Sequence, residues 1–470
     1  MMKKVALFLV LLHPWIVLPA QNVPEKLRQS FQQFMSDSQL KHAAVSLYVI
    51  DARTGQPVFD VNSQLGLAPA STQKIITSVT AFEMLGSDYR YKTEFWLNQS
   101  MPNYSKNKII MIRQSGDPTF GSSRYSGTKP AAIFSALSKS YSGSKINPRE
   151  VVYNLFNNRF ESQKIPDGWI FQDIGNYYGA GAAGLNWKEN QTDIILKAGK
   201  KSGDPVKIIS LDTLAGNGYT DNQLKTGAPG SGDNAYYYFQ YGSQSTAYPV
   251  LKGTIPAGEE NFSISIATAD PFLHFANELQ KNQLTGKASP ATGNSFKISD
   301  WTPMKADEKI YTHYSPTLDS IIYWFNKKSI NLYGEALVKT IALEKQGYAS
   351  TDSGVAIVRR FWKDKGLDPE ELNMYDGSGL SPLNRVTTHA QVEILKYAKT
   401  KNWFPAFYEA LPEYNGMKMK SGTISDVKGY CGYHKAKDGR EYIFSFLINN
   451  YSGKTGPVVS KMFKVLDELK

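Results

Sequence analysis

The sequence predicts a mixed α/β (α+β) protein: an antiparallel sheet flanked by helices and split by a long β-rich insert. Three observations carry this reading. A helix–hairpin–helix pattern opens the chain; strand-like runs dense in turn residues follow from about Thr93; and periodic helices with three further strand-like runs return from about Lys305. The expected division is 21–95 with 300–470 as one domain, 96–194 with 246–299 as an inserted domain, and 195–245 as a small domain nested inside it.

Before these elements, residues 1–20 have the layout of a secretory signal peptide. MMKK is basic, VALFLVLL is apolar, and VLPA before Gln21 places the expected cleavage after Ala20. His13 and Pro14 interrupt the run and leave it short for a bilayer, and no second apolar stretch of spanning length follows. No cysteine lies near the cleavage site to carry a lipid anchor. The expectation is an exported protein, periplasmic or secreted, soluble or loosely membrane-associated.

PEKLRQSFQQFM sets Leu27, Phe31 and Phe34 on one helical face. HAAVSLYVI, the turn ARTG and PVFDV read as a hairpin ending near Val61. In PASTQKIITSVTAFEML, Ile75, Val79, Phe82 and Leu85 recur at steps of four, three and three, which marks one buried face, and Gly86 supplies a C-terminal stop. The middle region alternates KIIMIR, EVVYNLFNN and VKIISL with clusters of Gly, Ser, Asn and Pro. The tyrosines of NAYYYFQY read as strand residues half-buried on a sheet. ENFSISIATADPFLHFANELQ returns to strand plus helix. PTLDSIIYWFN, LYGEALVKTIAL, TDSGVAIVRRFWKDKG and THAQVEILKYAK are apolar-periodic helices. NGMKMKSGT, VKGYCGYHKA and DGREYIFSFLINN read as strands, the first pair around a Gly-containing turn and the third after a KDG turn. Val458, Met462 and Val465 mark a last helix.

Composition narrows the chemistry. The single cysteine, Cys431, excludes an internal disulfide and a cysteine-based metal cluster, and it sits in a strand-like stretch as a small core residue. Loss of Lys3 and Lys4 with the signal peptide lowers Lys+Arg from 53 to 51 against 42 acidic residues, a net charge of +9. That basic balance suits a polyanionic target such as cell wall or anionic lipid, but the charges are scattered and no nucleic-acid motif is present. The remaining histidines, His42, His274, His313, His389 and His434, have no metal-ligand spacing, and no G-x-S-x-G elbow seeds a Ser-His-Asp triad. No metal and no cofactor is expected.

Ser71 and Lys74 lie one helical turn apart at the mouth of an apolar helix, so that the amine can take the proton of the hydroxyl. Spacing alone does not single them out, because Ser38/Lys41, Ser105/Lys108, Ser142/Lys145 and Ser425/Lys428 match the same pattern. Order along the chain does more. Ser71-Thr72-Gln73-Lys74 is followed by Ser329-Ile330-Asn331 between two helices and by Lys420-Ser421-Gly422-Thr423 at a strand end. That trio is the serine–lysine, Ser-x-Asn and Lys-Thr-Gly set of β-lactamases and penicillin-binding proteins. With its flanks GDPTF, YGAGAAGLNWKEN and YDGSGLSPLNRVT, the chain resembles the class C low-molecular-mass penicillin-binding proteins, D-alanyl-D-alanine carboxypeptidases/endopeptidases. The resemblance runs from about residue 40 to 450 and is weakest between 195 and 245.

The resemblance implies a penicillin-binding/β-lactamase-like domain interrupted by a long insert, and 254 residues separate Lys74 from Ser329. It implies Ser71 as nucleophile, Lys74 as base, Ser329 as proton relay, Asn331 on the substrate peptide, and Lys420, Ser421, Gly422 and Thr423 at the terminal carboxylate. Backbone N–H groups of Ser71 and Thr423 would form the oxyanion hole. Asp376 and Ser378, in the family-like Asp376–Gly379 stretch, are expected on the substrate side. Ile330 stands where the family often has Asp, and Ser421 where it commonly has Thr. Literal Lys-Thr-Gly triplets at Lys225–Gly227 and Lys454–Gly456 lie in turn-rich or post-strand context and are set aside. The implied partners are peptidoglycan stem peptides and cross-links, with β-lactams as inhibitors and no nucleic acid. Two alternatives share these residues: a serine β-lactamase or esterase of the same fold, and a non-catalytic wall-binding penicillin sensor.

Overall fold

A computed structural model describes residues 23–99, 108–147, 151–156, 159–211, 220–239, 249–283, 296–299 and 307–470. The expected signal peptide and Ser105 lie outside them. Outside the insert, the chain is built on a six-stranded sheet in the order β17-β18-β19-β20-β1-β2, all neighbours antiparallel. Its strands are β1 (Ala44–Asp51), β2 (Pro57–Val61), β17 (Glu413–Tyr414), β18 (Met417–Ile424), β19 (Val427–Lys435) and β20 (Glu441–Asn449). Helices α1 (Val23–Met35) and α11 (Thr455–Asp467) cover one face. The other face carries α2 (Lys74–Leu85), α6 (Leu318–Lys327), α7 (Asn331–Gln346), α8 (Thr351–Asp364), α9 (Thr388–Lys399) and α10 (Phe404–Ala410), with the short pair β15 (Leu372–Asn373) and β16 (Arg385–Val386).

Strand β20, at the centre of this sheet, is apolar on both faces because both are covered. On β20, Phe444, Phe446 and Ile448 join Leu27, Phe31 and Met462, while Ile443 and Leu447 join the opposite core. A continuous apolar run, not an alternating one, is what such burial demands. The hairpin turns differ from expectation in one place. Asn415 and Gly416, both at positive φ, join β17 to β18, whereas β18 turns into β19 through Ser425 and Asp426 with no glycine.

The insert begins where β3 (Lys92–Asn98) leaves Tyr91 and ends where β14 (Glu308–Tyr314) reaches Ser315. The two crossings are tied side by side, Tyr91 N donating to Ser315 Oγ at 2.9 Å. A five-stranded sheet runs β13-β5-β4-β3-β14, with β4 (Lys108–Arg113), β5 (Val151–Phe156) and β13 (Phe296–Ser299). Helices α3 (Pro130–Gly143) and α5 (Pro271–Gln283) pack on it. Between them lie α4 (Phe171–Ile174) and two small sheets with a common core. One has β6 (Gln191–Lys197), β7 (Lys207–Leu211) and β12 (Phe262–Ala267); the other has β8 (Asp221–Asn222), β9 (Lys225–Thr226), β10 (Asn234–Tyr238) and β11 (Val250–Ile255).

Strand pairing shifts the expected boundaries. The division at 95/96 falls inside β3, that at 299/300 separates β14 from its partner β3, and that at 194/195 cuts β6. We therefore propose 92–314 for the insert and 191–267 for the nested unit. Among the described residues no helix is long and apolar enough to cross a membrane.

Candidate active site

Helix α2 is buried all round from Lys74 to Phe82, not on one face. Its polar side chains are tolerated there because each finds a partner. Thr77 Oγ1 donates to Gly377 O at 2.6 Å, Asn326 Nδ2 to Ser78 Oγ at 3.0 Å, and Trp362 Nε1 to Thr80 Oγ1 at 2.9 Å. Ser71 precedes the α-helix, in a 3₁₀ turn over Ala70–Gln73. In a 3₁₀ turn, side chains three apart eclipse one another, which brings Lys74 Nζ to 2.8 Å from Ser71 Oγ.

The turn is fixed from three directions. Asn449 clamps Ala68 through both backbone groups, at 2.8 and 3.0 Å. Ser445 Oγ donates to Gln391, Gln391 Nε2 to Thr72 Oγ1, and Thr72 Oγ1 to Pro69 O, a chain from the sheet to the turn. Gly422 of β18 lies directly against it: a Cβ there would sit 2.5 Å from Pro69 O and 2.9 Å from Ser71 N. A side chain would push the strand away, so glycine is what lets the backbone of Thr423 approach that of Ser71. Ala70 and Ser329 both hold positive φ, 47° and 56°. For non-glycine residues this costs roughly 1–3 kcal/mol each, and both flank the reacting groups.

Lys74 Nζ has three partners: Ser71 Oγ at 2.8 Å, Asn331 Oδ1 at 2.7 Å and Ser378 O at 2.7 Å. Burial, and then the Lys420 charge, hold its pKa well below that of a free lysine. A neutral amine has two hydrogens and one lone pair. The hydrogens satisfy the two carbonyl oxygens, and the lone pair is left facing the Ser71 hydroxyl. Glu335, one turn along α7 from Asn331, is fully buried, and burial followed by the Asp376 charge raises its pKa to about 8; the Asp376 and Glu335 charges oppose the lowering of Lys74 but rank below burial and Lys420.

Asn331 Nδ2 donates to Tyr178 O of the insert at 2.8 Å, which sets the amide's orientation. Lys420 Nζ donates to Ser329 Oγ at 3.0 Å and to Ser421 O at 2.9 Å, and burial lowers its pKa to about 7. Ser421 Oγ donates to Tyr414 OH at 3.3 Å. Ser71, Ser329, Asn331 and Thr423 line one cleft of about 660 Å³.

Asp376 and Ser378, expected on the substrate side, are both fully buried, and neither is among the residues that line the cleft. Asp376 organises the loop. Its carboxylate accepts from Gln73 Nε2, Trp169 Nε1, Asn384 Nδ2 and the backbone N–H groups of Gly379 and Ser381, at 2.6–3.0 Å. That loop delivers Ser378 O to Lys74, and Gly379, at φ 83°, passes so near Ala70 O that a Cβ would lie 2.0 Å from it. Asp376→Ala should lower unfolding free energy by roughly 3 kcal/mol or more, since each orphaned donor costs about 1–3 kcal/mol. It should slow acylation at the same time. Urea titration with acylation kinetics checks this; a change in KM alone would restore a substrate-facing role.

Sequence reasoning misses the far wall, which the insert supplies. Arg124, Asp173, Tyr178, Glu189 and Tyr236 line it, so one tyrosine of the NAYYYF run faces the cleft. Glu189 accepts from Ser122 Oγ, Arg124 Nε and Tyr333 OH at 2.7–2.8 Å, which ties the insert to α7. The backbone at Lys188, Glu189 and Asn190 holds φ of 52–57° to place it. Glu335 left a signal, a carboxyl within the stretch LYGEALV, and Tyr178 and Glu189 lie in the flank YGAGAAGLNWKEN without a role read for either; Arg124 left none. Of the other Ser-x-x-Lys matches, Ser38/Lys41 and Ser142/Lys145 lie on outer turns away from the cleft. Cys431 is buried in β19, where burial raises its thiol pKa.

The family model of the D-Ala-D-Ala carboxypeptidase 3 (S13) family matches residues 27–413. The chain is 26% identical over 463 residues to a D-alanyl-D-alanine carboxypeptidase of Actinomadura sp. (strain R39), covering 91% of this chain and 82% of that one. It is 24% identical over 429 residues to the D-alanyl-D-alanine carboxypeptidase DacB of Haemophilus influenzae, covering 86% and 85%. The crystal structure of penicillin binding protein 4 from Haemophilus influenzae shares the fold, with a TM-score of 0.75 at 19% identity over 94% of this chain and 99% of that one. A second structure of that protein, complexed with a β-lactam, gives 0.69 at 18% identity over the same shares. With its serine and lysine in contact and this fold around them, the chain belongs to the S13 family of D-Ala-D-Ala carboxypeptidases, serine peptidases of the low-molecular-mass penicillin-binding type.

Proposed function

We propose that the enzyme hydrolyses the terminal D-alanyl-D-alanine bond of peptidoglycan stem peptides, and the corresponding bond in cross-links, through an acyl-enzyme on Ser71. We further propose that β-lactams acylate the same serine and that the protein works in the periplasm or outside the cell. The observation that carries this is the set of contacts around Lys74, which leaves its lone pair for the Ser71 hydroxyl.

Ser71 Oγ gives its proton to Lys74 Nζ as it attacks the carbonyl carbon of the penultimate D-alanine. The N–H groups of Ser71 and Thr423 receive the oxyanion, where one donor is worth about 3–4 kcal/mol. Lys420 occupies a lone pair of Ser329 Oγ, so the Ser329 hydroxyl hydrogen is directed elsewhere, towards the departing amine. The C–N bond breaks as that amine gains a proton, and the proton on Lys74 restores the relay. Water then adds to the ester as Lys74 takes its proton, and Lys74 returns that proton to Ser71 Oγ as the acyl C–O bond breaks and the shortened peptide leaves. Lys420 meets the terminal carboxylate as a charge-assisted partner.

Incubation with a labelled penicillin followed by peptide mapping tests the assignment. The label is expected on the peptide that carries Ser71 and on no other; a label on another serine would overturn it. Slow decay of that label separates this reading from a β-lactamase, and release of D-alanine from purified peptidoglycan separates it from a sensor.

A further inference from the structure

Ser425 and Lys428 match the serine–lysine spacing, yet Lys428 serves a different partner. The register of β18 and β19 sets Lys428 opposite Thr423, and its Nζ donates to Thr423 Oγ1 at 2.8 Å. Lys428 is 7% exposed, and its Nζ lies 4.7 Å from the Tyr430 ring centroid. Lys420, two residues before Gly422 on the same strand, is 1% exposed. Among the described residues neither ammonium has a carboxylate within ion-pair distance. Two buried cations without a counter-ion are costly unless an anion joins them. Thr423 is exposed between them and lines the cleft.

The direction of the hydrogen bond matters. Because Lys428 donates to Thr423 Oγ1, the threonine's own hydrogen points away from it and is free to be donated to a ligand. Burial lowers Lys428 only to about 8, so it is mostly a cation at neutral pH.

We infer that Lys428 is a positioning residue for the carboxylate of the departing amino acid, acting through Thr423 and through its charge, and that it sets the preference for substrates ending in a free carboxylate. This rests on the reading of Ser71 and Lys420 given above. Lys420 contributes a direct contact; Lys428 orients the hydroxyl beside it and adds the second charge that a monoanion in a buried site favours.

The test compares kcat/KM for an N-acetylated D-alanyl-D-alanine peptide with that for its C-terminal amide, in the parent enzyme, Lys428→Met and Lys428→Arg. Penicillin labelling of Ser71 is measured in the same preparations. In Lys428→Met the carboxylate-over-amide ratio should fall between about 10- and 100-fold, the range of a lost charge-assisted hydrogen bond. The fall should lie mainly in KM, and Lys428→Arg should restore most of it. An unchanged ratio, or an equal fall on both peptides, would overturn the role of Lys428 while labelled Ser71 leaves the site assignment standing. Absence of label on Ser71 in the parent enzyme would overturn that assignment and this inference with it.

Discussion

Replacing Lys74 with methionine should slow acylation of Ser71 by about 10²–10⁴-fold, the contribution of a positioned general base. The side chain is fully buried, and its nitrogen reaches Ser71 Oγ, Asn331 Oδ1 and Ser378 O within 2.8 Å. Methionine keeps the length and apolar stem but has no lone pair basic enough to take the serine proton. Lys74→Arg should fail as severely, because a guanidinium stays protonated and cannot act as a base. Stopped-flow acylation by a chromogenic cephalosporin checks both variants. A rate within tenfold of the parent in Lys74→Met would remove Lys74 as the base.

Lys420→Gln should reduce kcat/KM for carboxylate-terminated peptides by about 10²-fold, from loss of a charge-assisted contact in a buried site. Lys225→Ala and Lys454→Ala should stay within about twofold, as for most exposed surface changes, because both side chains are exposed and neither lines the cleft. The pH dependence gives a second readout. Burial is the larger cause of the lowered Lys74 pKa, and the Lys420 charge is the next. Removing that charge makes protonated Lys74 less unfavourable, so its pKa rises. Acylation by a neutral, carboxylate-free probe, which needs unprotonated Lys74, should then shift to higher pH. In the parent enzyme burial lowers the pKa of Lys420 itself to about 7. Cleavage of carboxylate-terminated peptides should therefore rise with pH as Lys74 loses its proton and fall again as Lys420 loses its own, whereas the neutral probe shows only the rise. The two lysines share one field, so the limbs belong to the pair. An unshifted profile for the neutral probe in Lys420→Gln would mean that burial alone tunes Lys74.

What the sequence determines by itself is local. The 3.6-residue periodicity marks α2, α6, α7, α8, α9 and α11, and turn residues bound β1, β2 and β20, because each signal lies within one stretch of chain. Short patterns of fixed spacing, Ser71 to Lys74 and Lys420 to Thr423, are legible for the same reason. Helices α3 and α10 go unread. The first is embedded in a turn-rich region, and the second is seven residues long, too short for a periodic signal.

The tertiary structure decided the rest. That α2 is central and not surface-facing depends on α6, α7, α8 and α9 closing around it, and that enclosure is what drives Lys74 towards its neutral form. Asp376, expected on the substrate side, is met by five buried donors from residues up to 303 positions away. Lys428 matches a Ser-x-x-Lys spacing in the sequence, but only the register of β18 and β19 sets it against Thr423. The insert boundaries we propose rest on β3 pairing with β14 across more than two hundred residues. Desolvation and non-local pairing are properties of assembled surfaces, so no single segment encodes them. The sequence names the reacting groups, and the packing sets their protonation.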